Sequence, residues 1–504
     1  MVGAGSLLPT QTRSARASDD PSTQPGGQPP HREYSPDPHV ERALPLRTLE
    51  LLLLACTLVG VLRAASRWRH QSRLAAVIAL ATLGVLGAHL LLERPRWQLT
   101  TVYVVALVVA GVAVADVLRH REQVRRRSVT VTGLVLVLLG AALAWATPVA
   151  KLAEPRGPYL VGTTQAHIVD GTRDEPYESG PRRDRELALQ IWYPAAPDAG
   201  GEPAPWSPQP RGFAREAADT LGVPAFTLSH LALVRSHAID DAPPAPGDAR
   251  PLVVYSHGWT GFRTSQSPLL ESLASLGFVV AAVDHTHGSL ASAFPDGRVV
   301  GREASALPDD APEEVFDEAA ADLVETYADD LAAVLTHLRD GGALDGRVDL
   351  STVAFVGHST GGAAAILACD REATCEAAVT YDPWVEPLPD EVVGKGLDRP
   401  LLSLRSQEWV DGENDARLRR LHAASDEADD GLVAIEGATH RDFTVVPLLS
   451  PLVRLLDGGA RTGVGSVHRI VDDWTVSFLD HHLRGARLDP LDDPPAHPET
   501  VVDR

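Results

Sequence analysis

The pentapeptide Gly357-His358-Ser359-Thr360-Gly361 constrains the fold more than any other stretch of this 504-residue chain. It is a G-x-S-x-G pattern. The β-branched, apolar run Thr352-Val353-Ala354-Phe355-Val356 precedes it, and the small, helix-prone run 362–368 follows it. A serine on the sharp turn between a strand and a helix has its hydroxyl pushed out at the top of a sheet, over a helix N-terminus. Flanking glycines remove the Cβ atoms that would clash in so tight a turn. The context therefore points to a nucleophile on an α/β sheet. The alternative is a glycine-rich turn that happens to hold a serine.

Charge divides the chain. Residues 1–150 hold 16 Arg and no Lys against 9 acids, whereas residues 151–504 hold 29 basic against 58 acidic side chains. The acidic balance argues against a nucleic-acid partner, which needs a basic face. Within the basic part, residues 1–40 are rich in Ser, Pro, Gly, Asp and Arg, and are expected to be a disordered tail. Four apolar runs follow, over about 44–62, 74–92, 101–118 and 129–147. Each is near the length a helix needs to cross a bilayer core. Residues 41–150 are thus expected to form a bundle of about four transmembrane helices. Arginines concentrate in the first connection (Arg63, Arg67, Arg69, Arg73) and the third (Arg119, Arg121, Arg125, Arg126, Arg127). The positive-inside rule places those loops in the cytoplasm, so both termini are expected to face outward.

A Pro/Gly break at 154–158 separates this region from alternating strand-like and helix-like segments. Residues 187–193, 252–255 and 278–283 read as strands, and residues 319–339 as a helix. Such alternation implies a mostly parallel sheet flanked by helices; with the serine elbow, residues 155–490 are expected to form an α/β-hydrolase fold. Residues 206–238 read as a helical lid or insertion and 491–504 as a C-terminal tail. Cys369 and Cys375 lie just after the elbow helix. Two cysteines are too few for a tetrahedral zinc site. They read as a local disulfide in an oxidising compartment, or else as two free thiols.

A serine nucleophile needs a base, an orienter for that base and donors for the oxyanion. In this fold the acid and then the histidine follow the serine. Asp382 ends the apolar run Ala377-Ala378-Val379-Thr380-Tyr381; its rivals Asp370, Asp390 and Asp398 end no clear strand. His440 follows the strand-like 432–435 and a small-residue turn. The loop Ser256-His257-Gly258-Trp259-Thr260-Gly261 offers an oxyanion amide at Trp259, with the second at Thr360. His257 itself reads as a loop-shaping residue.

The motifs Val253-Val254-Tyr255-Ser256-His257-Gly258, Gly261-Phe262-Arg263 and the stretch 273–285 are similar to the platelet-activating factor acetylhydrolase (group VII phospholipase A2-like) family. The elbow 357–362, Asp382-Pro383-Trp384 and Gly437-Ala438-Thr439-His440-Arg441-Asp442-Phe443 continue the match in order. Gly157-Pro158-Tyr159 and Gln190-Ile191-Trp192-Tyr193-Pro194 resemble that family's start, so the resemblance spans about residues 157–485. It implies a calcium-independent serine esterase, with no metal or organic cofactor, that cleaves short or oxidised acyl chains from lipids or related esters. Bacterial polyester hydrolases share part of the pattern. A serine peptidase, an acyltransferase and an inactive membrane sensor also remain open. The chain departs from the family in its apolar runs and in Thr360, where a bulky residue often sits. The implied partners are an ester or lipid substrate and the membrane lipid bilayer.

Overall fold

The computed structural model describes residues 46–65, 72–119, 127–177, 181–342, 344, 346–425, 430–456 and 461–503. The expected tail over 1–40 and the arginine-rich connections 66–71 and 120–126 lie outside the described residues.

Each apolar run forms a helix: α1 (Thr48–Ala65), α2 (Ser72–Ala88), α3 (Thr100–Arg119) and α4 (Arg127–Ala146). Two described stretches, Arg73–Glu93 and Trp97–Ala115, are long and apolar enough to cross a bilayer, and Thr130–Ala146 is a shorter apolar helix. Among the described residues, two of the four expected runs thus qualify as spanning helices by length and composition. The start of α1 belongs to a polar junction instead. Glu50, fully buried, accepts from Arg96 through Nε and Nη2, both at 2.7 Å. Arg96 also donates to the Thr147 carbonyl at 2.7 Å, tying the start of α1 to the end of α4.

After the Pro/Gly break the chain builds an eleven-stranded mixed sheet. Its strands are β1 (Leu160–Asp174), β2 (Asp184–Ala195), β3 (Pro203–Pro205), β4 (Arg235–Asp240), β5 (Arg250–Ser256) and β6 (Val279–Asp284), then β9 (Val348–His358), β10 (Cys375–Tyr381), β11 (Leu401–Ser406), β12 (Gly431–Ile435) and β13 (Thr500–Asp503). The short β7 (Ala291–Ala293) and β8 (Val299–Gly301) pair separately. The order is β13-β12-β11-β10-β9-β5-β6-β2-β1-β4-β3. The centre, from β12 to β6, is parallel; β2 and β13 join it antiparallel.

Central strands read as continuous apolar runs because both faces are covered. Successive side chains point to opposite faces. Leu252 and Val254 of β5 enter one core with α7 (Glu313–Arg339) and α8 (Thr360–Arg371). Val253 and Tyr255 enter the other with α6 (Ser267–Ser275) and the long helix Val464–Arg484. Each buried Val, Leu or Phe contributes about 1.5–3 kcal/mol of transfer free energy.

Two regions differ from the sequence reading. Residues 491–503 are not a free tail, because Thr500–Asp503 adds an edge strand to β12. Asp503 pairs with Arg405 and Arg419 there, and these charges hold a segment too short to specify a strand alone. The insertion at 206–238 contains α5 (Pro210–Thr220), a 3-10 stretch (Ala225–Leu233) and β4. Its Trp206 and Phe213 pack edge-to-face with each other and with Phe262 of the loop after β5, at 5.0–5.8 Å between ring centroids. This part meets the helical bundle: Trp97 Nε1 donates to the Thr227 carbonyl at 3.1 Å. Ser450 Oγ donates to the Ala146 carbonyl at 2.7 Å.

Candidate active site

Ser359 stands between β9 and α8 with φ 57°, a conformation rare for a residue with a side chain. The glycines around it have steric causes. A Cβ on Gly357 would lie 2.0 Å from the Gly361 carbonyl oxygen, and one on Gly361 would lie 2.4 Å from those of Ser256 and His257. Ser359 N–H donates to the Tyr381 carbonyl at 2.9 Å, and its own carbonyl accepts from Trp384 N–H at 2.9 Å. The elbow is thereby fastened to the end of β10, where Asp382 emerges. At the other end of α8, Cys369 and Cys375 are joined in a disulfide.

Asp382 is fully buried. Its carboxylate accepts from Ser406 N–H at 2.7 Å, Ser406 Oγ–H at 2.6 Å and His440 Nδ1 at 3.0 Å. The last bond assigns the proton to Nδ1, which leaves Nε2 as the basic nitrogen. His440 opens a 3-10 turn, His440–Phe443, capped by a reciprocal Thr439–Asp442 pair. Its backbone N–H donates to Glu408 Oε2 at 2.8 Å, and its carbonyl accepts from His358 Nε2 at 3.1 Å. The ring is sandwiched, 4.3 Å from Trp409 on one side and 4.5 Å from His358 on the other. Burial, and then the neighbouring His440, push the pKa of His358 well below the usual imidazole range. His358 is therefore a neutral donor, not a second base.

The loop after β5 lies against the elbow, and a Cβ on Gly258 would sit 2.8 Å from that of Ser359. Trp259 N–H points to Thr360 Oγ1 at 3.3 Å. Thr360 is the first residue of α8, so its own N–H has no helical carbonyl to donate to. Arg302 lies over the Trp259 ring at 5.4 Å, and Phe316 flanks Trp384 at 6.1 Å.

The structure thus gathers Ser359, Asp382, His440 and the Trp259 and Thr360 amides at one rim. The rival acids are elsewhere. Asp370 and Asp398 pair with Lys395, and Asp390 pairs with Arg417. Sequence reasoning missed Ser406, which ends β11, and Glu408 and Trp409, which follow it. The one available signal was their position at the end of an apolar strand.

A serine elbow on a parallel sheet, followed in order by a strand-end aspartate and a turn histidine, defines the α/β-hydrolase class. The sequence model of the family described as "Platelet-activating factor acetylhydrolase, isoform II" matches residues 146–299 and 329–489. The chain belongs to this family and is a carboxylic ester hydrolase. Platelet-activating factor acetylhydrolase of Gallus gallus is 24% identical over 337 residues, 60% of this chain and 75% of that protein. The Cavia porcellus enzyme of that name is 26% identical over 314 residues, 58% and 68% of the two chains. Among solved structures, a ferulic acid esterase from Streptomyces cinnamoneus is similar, with a TM-score of 0.59 and 30% identity. That similarity covers 71% of this chain and all of the esterase.

Proposed function

We propose that this chain is a membrane-anchored serine esterase acting on short-chain or oxidised acyl lipids, or related esters, through an acyl-enzyme. Ser359 attacks the ester carbonyl while His440 Nε2 takes its proton. Asp382 keeps the imidazole in the Nδ1–H tautomer and steadies the imidazolium that forms. The Trp259 and Thr360 amides receive the oxyanion. The same imidazole returns the proton to the leaving alcohol, then activates water to release the acyl group. The observation that carries this reading is the buried carboxylate of Asp382, saturated by Ser406 and aimed at His440 beside a strained serine elbow.

The helices within residues 41–150 would hold the hydrolase domain, residues 155–490, at a bilayer surface. The arginine distribution and a disulfide at Cys369–Cys375 favour the extracytoplasmic side. A second reading, a carboxylesterase for bulkier aromatic or polymeric esters, is favoured by the aromatic groups Trp259, Trp384 and Phe316 and by the ferulic acid esterase similarity. Nitrophenyl esters of graded chain length, together with a feruloyl ester, separate the two. The main reading expects a maximum at short chains and no turnover by Ser359→Ala. Full activity in that variant would sink the assignment.

A further inference from the structure

The imidazole of His257 is wholly buried and closed to substrate. Its bonds are nonetheless specific. Nδ1 bonds the Gly258 carbonyl at 2.8 Å, and that oxygen, an acceptor only, assigns the proton to Nδ1. Nε2 then accepts, from His285 N–H at 3.3 Å and from Ser289 Oγ–H at 2.7 Å. The Gly258 carbonyl also takes the Gly261 N–H at 2.8 Å.

That carbonyl shares a planar trans peptide with the Trp259 N–H, so the two point in opposite directions. Whatever holds the Gly258 oxygen inward therefore aims the Trp259 N–H outward, toward the elbow, where it meets Thr360 Oγ1. The glycine at 258 leaves this peptide otherwise easy to rotate. A deeper buried array supports the arrangement. Asp330 Oδ2 accepts from His285 Nδ1 at 2.9 Å, and His285 Nε2 accepts from Ser256 Oγ at 2.9 Å. Ser256 ends β5 immediately before His257. The array has the order of an acid–base–serine relay, yet all three members are fully buried and closed to substrate.

We infer that His257 is a positioning residue for the reaction: through the Gly258 carbonyl it holds the Trp259 amide in the orientation that receives the oxyanion. Ser289 and the Asp330–His285–Ser256 array fix its tautomer and place. The inference rests on the esterase reading above. It differs from a merely structural role because the Trp259 amide matters most when negative charge develops, so its loss falls on kcat and spares KM.

Two isosteric variants of the full-length chain test it. The Asn amide in His257→Asn reaches the position of Nδ1 and can still donate to Gly258. The Gln amide in His257→Gln reaches the position of Nε2 and cannot. With nitrophenyl butyrate, His257→Gln is expected to lose about 10²–10³-fold in kcat, as for removal of one oxyanion donor, with KM nearly unchanged. His257→Asn should recover most of that loss. A folded Gln variant with parental kcat, or equal losses in both variants, overturns the inference. Should the Gln variant misfold, Ser289→Ala serves instead. It removes one donor to Nε2 and should lower kcat about fivefold at constant KM; an unchanged kcat there overturns the inference as well. Ser359→Ala, run alongside, separates the two failures. Parental hydrolysis by it overturns the esterase reading, whereas an inactive Ser359→Ala beside an unimpaired His257→Gln overturns this inference alone.

Discussion

The imidazole of His440 lies flat against the indole of Trp409, ring centroids 4.3 Å apart and planes 5° from parallel. With His358 on the opposite face, the ring has little freedom to tip away from Asp382. An aromatic pair of this kind contributes about 0.5–1.5 kcal/mol beyond area burial. Trp409→Leu is therefore expected to lower kcat by up to about tenfold, and Trp409→Phe by less. Steady-state kinetics on one short-chain ester checks the order of the two.

Asp382→Asn tests the tautomer argument. An amide in this place can donate to Nδ1 and so favour the wrong tautomer, for which a loss of about 10⁴ in kcat is the expected scale. Ser406→Ala removes one of the three donors to the carboxylate and should cost roughly tenfold. A Ser406 variant that is more impaired than Asp382→Asn would reverse the roles given to these residues.

How much of this was legible in the sequence depended on how local each signal is. The elbow announced itself because strand, turn and helix are contiguous and each has its own composition. Asp382 and His440 were readable because each follows an apolar run that ends at the same sheet edge. Trp409 and Ser406 were not, since the last residue of a strand and the polar loop after it carry no periodicity. The partners of His257 come from segments near positions 285 and 289, which only the tertiary fold brings together. β1 and β13 escaped for another reason. β1 is only partly buried and mixes polar residues freely, whereas β13 is four residues held by ion pairs to Arg405 and Arg419.

The Cys369–Cys375 bridge should stabilise the hydrolase domain without entering the chemistry. It closes a short loop between α8 and β10, at the end of α8 away from Ser359. Chain-entropy scaling gives about 2–3 kcal/mol for such a loop. The Cys369→Ser/Cys375→Ser protein should unfold at lower denaturant concentration while keeping kcat within about twofold. Equal stability with and without reductant in the parent protein would contradict this.

Acid should destabilise the fold through its buried imidazoles. Burial, and then Arg96, push His230 down to about 4. The unfolded chain, with a histidine near 6.5, binds the proton more readily. The stabilising contribution is thus complete above pH 6.5 and is lost as pH falls from there toward 4. Each such group adds about 1.4 kcal/mol per pH unit to the slope inside its window. Denaturant unfolding of His230→Gln between pH 6.5 and 4 should show a slope shallower by about one proton. An unchanged slope would remove His230 from the account.

The central claim is that Ser359 is the nucleophile, and covalent labelling tests it most directly. Full-length protein treated with a fluorophosphonate should gain one phosphonyl group, mapped by peptide mass spectrometry to Ser359. Ester hydrolysis should fall in proportion to the fraction labelled, and Ser359→Ala should take up no label. Labelling at another residue, or full hydrolysis by a protein labelled at Ser359, would contradict the account.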